Sequence, residues 1–305
     1  YLEKYKQCLE LNKEELSKTM SLETGKPLWE TLAEVQAMIG KIPISVIAYH
    51  DRCKELKKDL GDKLSITRHK PHGVLGILGP FNFPGHLPNG HMVPALLAGN
   101  TVVIKPSDYT PLTGEKIGEY IVKSGFPEGV VNIVQGTAIT GRHLVSHPQI
   151  SGILFTGSST TGQVISSLFS ATTTKVLALE MGGNNPLVVC DYDDLKHTLA
   201  TLIQSAFITS GQRCTCARRL IVVDNPKNRT LIQEFASYSS TITLGSWEDT
   251  PEPFMGPVIN KETKHSLLTY QKYLNGLGAK SILKLESRFT ESCFVSPGII
   301  DVTNV

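Results

Sequence analysis

Nothing in the 305 residues marks a membrane span, a nucleic-acid surface or a disulfide scaffold. No apolar run approaches the roughly 20 residues that cross a bilayer, so no membrane partner is expected. Lys and Arg number 30 against 28 Asp and Glu, and a net charge of +2 is too small to argue for a nucleic-acid partner. Of the cysteines, Cys8, Cys53, Cys190 and Cys293 are scattered without a framework, which suits free thiols in a reducing compartment and predicts a cytoplasmic location. Cys214 and Cys216 are close together, but no histidine follows at zinc-finger spacing. The nearest on that side is His265, so no metal is expected. Internal repeats and low-complexity tracts are lacking too. The first residues, "YLEKYKQCLELNKEELSKTM", are charged and amphipathic rather than a leader. They open mid-pattern without a Met, which predicts further sequence upstream.

What is present is the pattern of an α/β protein, and the length suggests two domains. A helical pattern covers Leu2–Thr24 and stops at Gly25–Lys26–Pro27. Leu28, Leu32, Val35, Ile39, Ile42 and Val46 then repeat at helical spacing, with Pro43 a candidate kink. "KLSITRHK" (63–70) alternates like an exposed hairpin arm. Beyond Pro71, short apolar runs alternate with helix-length segments. They are "GVLGILG" (73–79), "TVVIK" (101–105), "VVNIV" (130–134), "GILFT" (152–156), "KVLALE" (175–180), "LVV" (187–189) and "LIVV" (220–223). Such alternation predicts a parallel sheet covered by helices on both faces.

Parallel sheets bind ligands at the carboxyl ends of their strands, and the segments following these runs carry chemistry. "GSSTTG" (157–162) places glycines and hydroxyls at a helix start, which reads equally as an anion site or as a plain N-cap. Lys105 closes one strand and could bond ribose or phosphate, or simply be a solvated lysine before a turn proline. Glu180 closes another. Burial there would raise its pKa toward general-base range, and the alternative is a carboxylate capping the next turn. Asn82, between two aromatics, could donate to a developing oxyanion or form an ordinary Asx turn. Taken together, the strand ends offer an amide, a lysine, an anion-binding turn and a carboxylate, with thiols downstream in "GQRCTC" (211–216).

At this point the sequence resembles the NAD(P)-dependent aldehyde dehydrogenase superfamily, through "PFNFP" (80–84), "KPS" (105–107), "FTGS" (155–158), "LEMGG" (179–183) and "GQRC" (211–214), in family order. The resemblance implies an aldehyde dehydrogenase-like α/β fold. A doubly wound NAD-binding domain would occupy 1–60 and 73–183, and an oligomerisation hairpin arm 61–72. Residues 184–305 would form part of an α/β catalytic domain. It implies Cys214 as nucleophile, Cys216 as a local passenger, Glu180 as general base and Asn82 as oxyanion amide. It also implies a cofactor site formed by Pro80, Lys105, Ser107, Asp108, Gly157, Ser158 and Gly162. Asp108 stands where an acidic residue favours NAD. The arm implies a homodimer or larger assembly.

Asn184 replaces a common lysine, and His91 replaces another. The longer stretches "PFNFPGHLPNGHMVPALLAGN", "EMGGNNP" and "GQRCTCARR" resemble a branch whose aldehyde substrates are long and doubly carboxylated. For these, Gly90 offers width, and Arg213, Arg218 and His86 are candidate carboxylate ligands. The competing reading of each arginine is a structural ion pair. Family members continue past "GIIDVTNV" to a glutamate that holds the nicotinamide ribose. The chain is therefore expected to be trimmed at both ends, and by itself to bind the adenosine half weakly without turnover. Two rival readings stand beside this one: a dehydrogenase of another semialdehyde such as glutamate semialdehyde, and a catalytically inert structural relative. Retention of both "GQRC" and Glu180 argues against the second.

Overall fold

The computed structural model describes residues 1–289 and 291–305, which group into two compact units, Tyr1–Glu23 with Thr31–Met181 and Thr24–Glu30 with Gly182–Val305. The chain opens with α1 (Leu2–Leu11) and α2 (Lys13–Thr24), two helices where one was expected. Asn12 separates them. Its Nδ2 donates to the Cys8 carbonyl at 2.7 Å, and an asparagine that bonds its own backbone competes with helix propagation. The third helix, α3 (Leu28–Arg52), keeps Pro43 inside it and buries Val35, Met38, Ile39 and Ile42. A stretch of it has mean hydropathy 1.3 and is long enough to span a bilayer, contrary to expectation. The apolar residues on its inner face belong to the core of the first unit.

Strands β1 (Leu56–Asp59) and β2 (Leu64–Thr67) pair antiparallel, Leu56 with Thr67 and Asp59 with Leu64. This hairpin begins ahead of residue 61, where the arm was expected to start. "LKKD" is exposed at every position and has no apolar face to announce a strand.

The sheet of the first unit contains β3 (Val74–Leu78), β4 (Thr101–Lys105), β5 (Val131–Ile133), β6 (Ile150–Gly157) and β7 (Val176–Met181). All are parallel, in the order β5-β4-β3-β6-β7. Alternate residues of β3 point to opposite faces. Leu75 and Ile77 pack with α4 (His86–Leu97) and α5 (Pro111–Lys123) through Met92, Val93, Ile117 and Tyr120. Leu78 packs with α6 (Ala138–Ser146) and α7 (Ser159–Phe169) through Val145, Ile165 and Phe169. The sheet is therefore doubly wound. Its strand order reverses between β3 and β6, which is where such sheets open a crevice for ligands.

In the second unit β8 (Asn185–Val189) and β9 (Ala217–Val222) pair in parallel. Helices α8 (Leu195–Phe207) and α9 (Pro226–Ser240) supply Leu199, Leu202, Leu231 and Phe235 to its core beside Val189. Helix α10 (Lys261–Gly276) follows, then β10 (Lys280–Leu283) and β11 (Ile299–Asp301), an antiparallel pair that the sequence pattern did not announce.

A carboxylate from the end of α2 caps α5. Glu23 accepts from the backbone N–H groups of Leu112 at 2.7 Å and Thr113 at 2.9 Å, and from the Thr113 hydroxyl at 2.6 Å. These are orphan donors of a first helical turn. Glu23→Ala is expected to lower stability by about 1–2 kcal/mol, read as a lower urea midpoint with unchanged slope. An unchanged midpoint would mean that water replaces the carboxylate without loss.

Candidate active site

Four of the sequence-predicted groups lie at the carboxyl ends of adjacent strands in the first unit. After β3 the chain turns through Gly79, whose N–H donates to the Lys105 carbonyl at 3.0 Å, and through buried Pro80 to half-buried Asn82. α4 starts four residues after Asn82, and Glu34 pairs with its first turn. The buried carboxylate accepts from the N–H groups of Gly85 and His86, each at 3.0 Å. Asn89 donates to the Met38 carbonyl at 3.2 Å, tying the same helix to α3. His86 packs edge-on against Phe83. A Cβ at Gly90 would meet only the Lys41 Cε, at 3.8 Å, so this position has open space beside it.

At the end of β4, Lys105 is not the solvated lysine of the plain reading. Its Nζ donates to the carbonyls of Pro106 at 2.5 Å and Gly136 at 2.8 Å. It is 8% exposed, and burial pulls its pKa below the ordinary lysine value, with Asp108 opposing. Buried Ser107 accepts from the Tyr109 N–H at 3.2 Å, while Asp108 is exposed in the following turn.

After β6, Ser158 is the N-cap of α7, its Oγ accepting from the Thr161 N–H at 3.2 Å. The cap reading of this turn is therefore real. Gly157 and Gly162 are demanded by packing, since a Cβ at either would collide with Phe155 or Met181.

Glu180, next to last in β7, is in register with Thr156 of β6. The expectation that it is buried is wrong, because the strand emerges from its helical cover at this residue and the side chain is exposed. A neighbour not among the sequence candidates stands beside it. His91, on α4, shares a hydrogen bond with the Thr156 hydroxyl at 3.2 Å. Burial lowers the pKa of this imidazole, the Glu180 charge opposes that, and Lys41 adds to it. His91 is followed by the apolar run 92–97 of α4, and a titratable residue bordering that run was the available signal.

The second unit carries the thiols. A 3-10 turn, Ile208–Gly211, precedes them. Cys214 is exposed, and its carbonyl accepts from Asn185 Nδ2 at 2.5 Å; the same amide donates to the Cys216 carbonyl at 3.1 Å. Cys216 is buried, with its Sγ 3.6 Å from the Ile208 carbonyl. Burial pushes this thiol up, although Arg218 and Arg213 oppose the shift. The two cysteines therefore separate by environment. Only the thiolate attacks carbon, and Cys214 alone of the pair is accessible.

Arg213 does not present a free guanidinium to a ligand. Its Nη2 pairs with Glu30 at 3.1 Å and its Nε donates to the Thr209 hydroxyl at 2.7 Å. The expectation of a carboxylate-binding arginine is corrected to the structural ion pair, because a buried carboxylate within reach claims the cation first. Arg218 is exposed beside the Gly211 backbone.

The aldehyde dehydrogenase family matches residues 1–305. An N-succinylglutamate 5-semialdehyde dehydrogenase of Yersinia pestis bv. Antiqua (strain Angola) is 47% identical over 304 residues, covering 100% of this chain and 60% of that protein. Among solved structures, an NADP-dependent enzyme of E. coli matches with a TM-score of 0.91 at 29% identity, over 98% of this chain and 62% of its own. A glyceraldehyde-3-phosphate dehydrogenase, GapN, of Methanocaldococcus jannaschii DSM 2661, complexed with NADP, matches at 0.89 and 29% identity, over 99% of this chain and 65% of its own. The chain thus spans 60% of the length of the curated relative it matches.

The depressed His91 pKa has a measurable consequence. Below the ordinary value of 6.5 the unfolded chain takes up a proton before the folded one. The contribution is therefore fully present above that pH and is lost as pH falls toward the folded pKa. The urea midpoint should fall between about pH 7 and about pH 5, and His91→Gln should flatten that slope. An identical slope in the variant would assign the titration to another group.

Proposed function

This chain belongs to the aldehyde dehydrogenase family, and we propose that the protein containing it oxidises N-succinyl-L-glutamate 5-semialdehyde to N-succinyl-L-glutamate, with NAD as acceptor, as a step in arginine catabolism. The observation that carries this reading is the 47% identity to a relative of that name across the whole chain.

The residues take their roles from their positions in the family motifs, and their environments support those roles. The Cys214 thiolate attacks the aldehyde carbon, and the Asn82 amide donates to the oxyanion that forms. Loss of a hydride from that adduct to the acceptor would leave a thioester on Cys214, and Glu180 takes a proton from the water that hydrolyses it, releasing the acid and the Cys214 thiol. The exposed Glu180 carboxylate is accessible to a water molecule. A dinucleotide fits the residues at the strand ends. Two of the three Lys105 donors are held by backbone carbonyls, which aims the amine and leaves one donor for a ribose hydroxyl. The Gly157–Ser158 turn starts a helix, and such a start attracts a pyrophosphate. When bound, the cofactor supplies the hydride acceptor that makes the oxidation possible.

Two specificities follow. The exposed Asp108 carboxylate disfavours a 2′-phosphate by like-charge repulsion, which supports NAD over NADP. The open space at Gly90 suits a long substrate, and with Arg213 committed to Glu30, Arg218 and His86 remain as ligands for the carboxylates. The intact protein is proposed to be a homodimer or larger, through the β1–β2 hairpin, whose Leu56, Leu60, Leu64 and Ile66 are exposed.

The reading is tested in the protein that contains this chain, by following NADH formation with the succinylated semialdehyde. Cys214→Ser is expected to abolish turnover, by on the order of 10³-fold or more, while Cys216→Ser retains most of it. The opposite pattern would reassign the nucleophile. A kcat/KM for NADP equal to that for NAD would remove the role given to Asp108, and equal rates with a short neutral aldehyde would remove the proposed substrate.

A further inference from the structure

The turn before Cys214 is held in a conformation that its residues do not favour. Thr209 and Ser210 both have φ 54° and ψ 34°, and Gly211 follows at φ 72°. Glycine adopts that region freely, but a β-branched threonine there is an outlier. Such backbone persists only where its surroundings over-determine it.

Those surroundings centre on one carboxylate. Glu30, near the start of α3, has a fully buried side chain. Its Oε1 accepts from the Thr209 N–H at 3.1 Å, and its Oε2 accepts from both the Thr209 hydroxyl and Arg213 Nη2, the latter at 3.1 Å. The Thr209 hydroxyl in turn accepts from Arg213 Nε at 2.7 Å. One hydroxyl thus donates once and accepts once, and Glu30, Thr209 and Arg213 close a ring of hydrogen bonds. A buried carboxylate is tolerated only with its charge paired and its lone pairs occupied, and this ring does both. The turn is braced further where Ser210 Oγ donates to the Gly256 carbonyl at 2.7 Å and Gln212 N–H donates to the Thr209 carbonyl at 2.9 Å. Downstream, Asn185 holds the carbonyls on either side of Thr215. Cys214 therefore stands between two anchors, with Arg213, one arm of the ring, as its immediate neighbour.

We propose that Glu30 is a positioning residue for Cys214: its carboxylate holds the left-handed turn at Thr209–Gly211 and the Arg213 side chain, and through them sets the placement of the nucleophile. Arg213 serves this ring and not a substrate carboxylate. The proposal rests on Cys214 being the nucleophile, but its test does not depend on turnover.

The test uses hydrogen exchange and cysteine alkylation on the protein that contains this chain, with Glu30→Gln, Thr209→Val and Thr209→Ser. Gln keeps the shape of Glu30 but places a donor against Arg213. Val removes the hydroxyl at constant volume, and Ser restores it. The expected result is that amides in 207–216 exchange about tenfold faster or more in Thr209→Val and Glu30→Gln, with Thr209→Ser close to the unsubstituted chain. The iodoacetamide labelling ratio of Cys214 to exposed Cys190 should rise in the same two variants, while buried Cys216 stays protected in all three. Unchanged exchange across 207–216 in both variants would overturn the proposal. So would faster exchange throughout the second unit with loss of Cys216 protection, which would make the ring a general support of the fold. Should Glu30→Gln not fold, the Thr209→Val and Thr209→Ser pair decides by the same criteria. An active Cys214→Ser enzyme would instead refute the nucleophile assignment and leave the exchange result standing.

Discussion

Sharp chain reversals leave backbone N–H groups without partners, and a buried N–H must find an acceptor. The N-terminal helices supply three. Glu23 takes the first donors of α5, Glu34 takes those of α4, and Glu30 takes the N–H of Thr209. Each bond joins a helix to a loop or helix start far along the sequence, and two of the three acceptors are buried. A carboxylate is well suited to this work, because its charge strengthens each hydrogen bond and complements the positive end of a helix. The loops carrying Asn82 and Cys214 are thus shaped by acceptors that lie outside their own motifs.

The parallel sheet does the complementary part. Register aligns Leu78 with both Lys105 and Phe155, and Thr156 with Glu180, so residues from distant stretches of chain arrive at one edge of one unit. Residues just beyond the last hydrogen-bonded pairs are where the backbone is free to turn. Asn82, Lys105 and Ser158 lie there or at the last rung, and Glu180 lies one rung before it. The same geometry brings His91 to Thr156 and gives Glu180 a titratable neighbour on the adjacent helix.

The cysteine pair shows how little sequence separation matters to chemistry. Cys214 and Cys216 are two residues apart and share an anchoring amide, yet one is exposed and the other buried. Burial raises the pKa of Cys216 against the pull of two arginines, so desolvation outweighs the nearby positive charge. The thiol best shielded from solvent is therefore the one least available as thiolate.

The sequence by itself determined the strands of the main sheet, their helical connections and the positions of the motif residues. Apolar runs, prolines and glycines act locally, and β3, β4, β6 and β7 lie where their runs of Val, Ile and Leu place them. It did not show the break at Asn12, the fully exposed first strand of the hairpin, or β10 and β11, because none of these carries an apolar period. Tertiary structure alone decided that Glu180 emerges into solvent, that Lys105 is buried, and that Ser158 spends its hydroxyl on a cap. It alone decided the partner of Arg213 as well. Glu30 lies 183 residues from Arg213, and on a helix otherwise read by its apolar spacing it resembles any surface glutamate. An ion pair closed across such a separation leaves no periodic or local trace in either segment, since each residue's environment is built by the folding of the other.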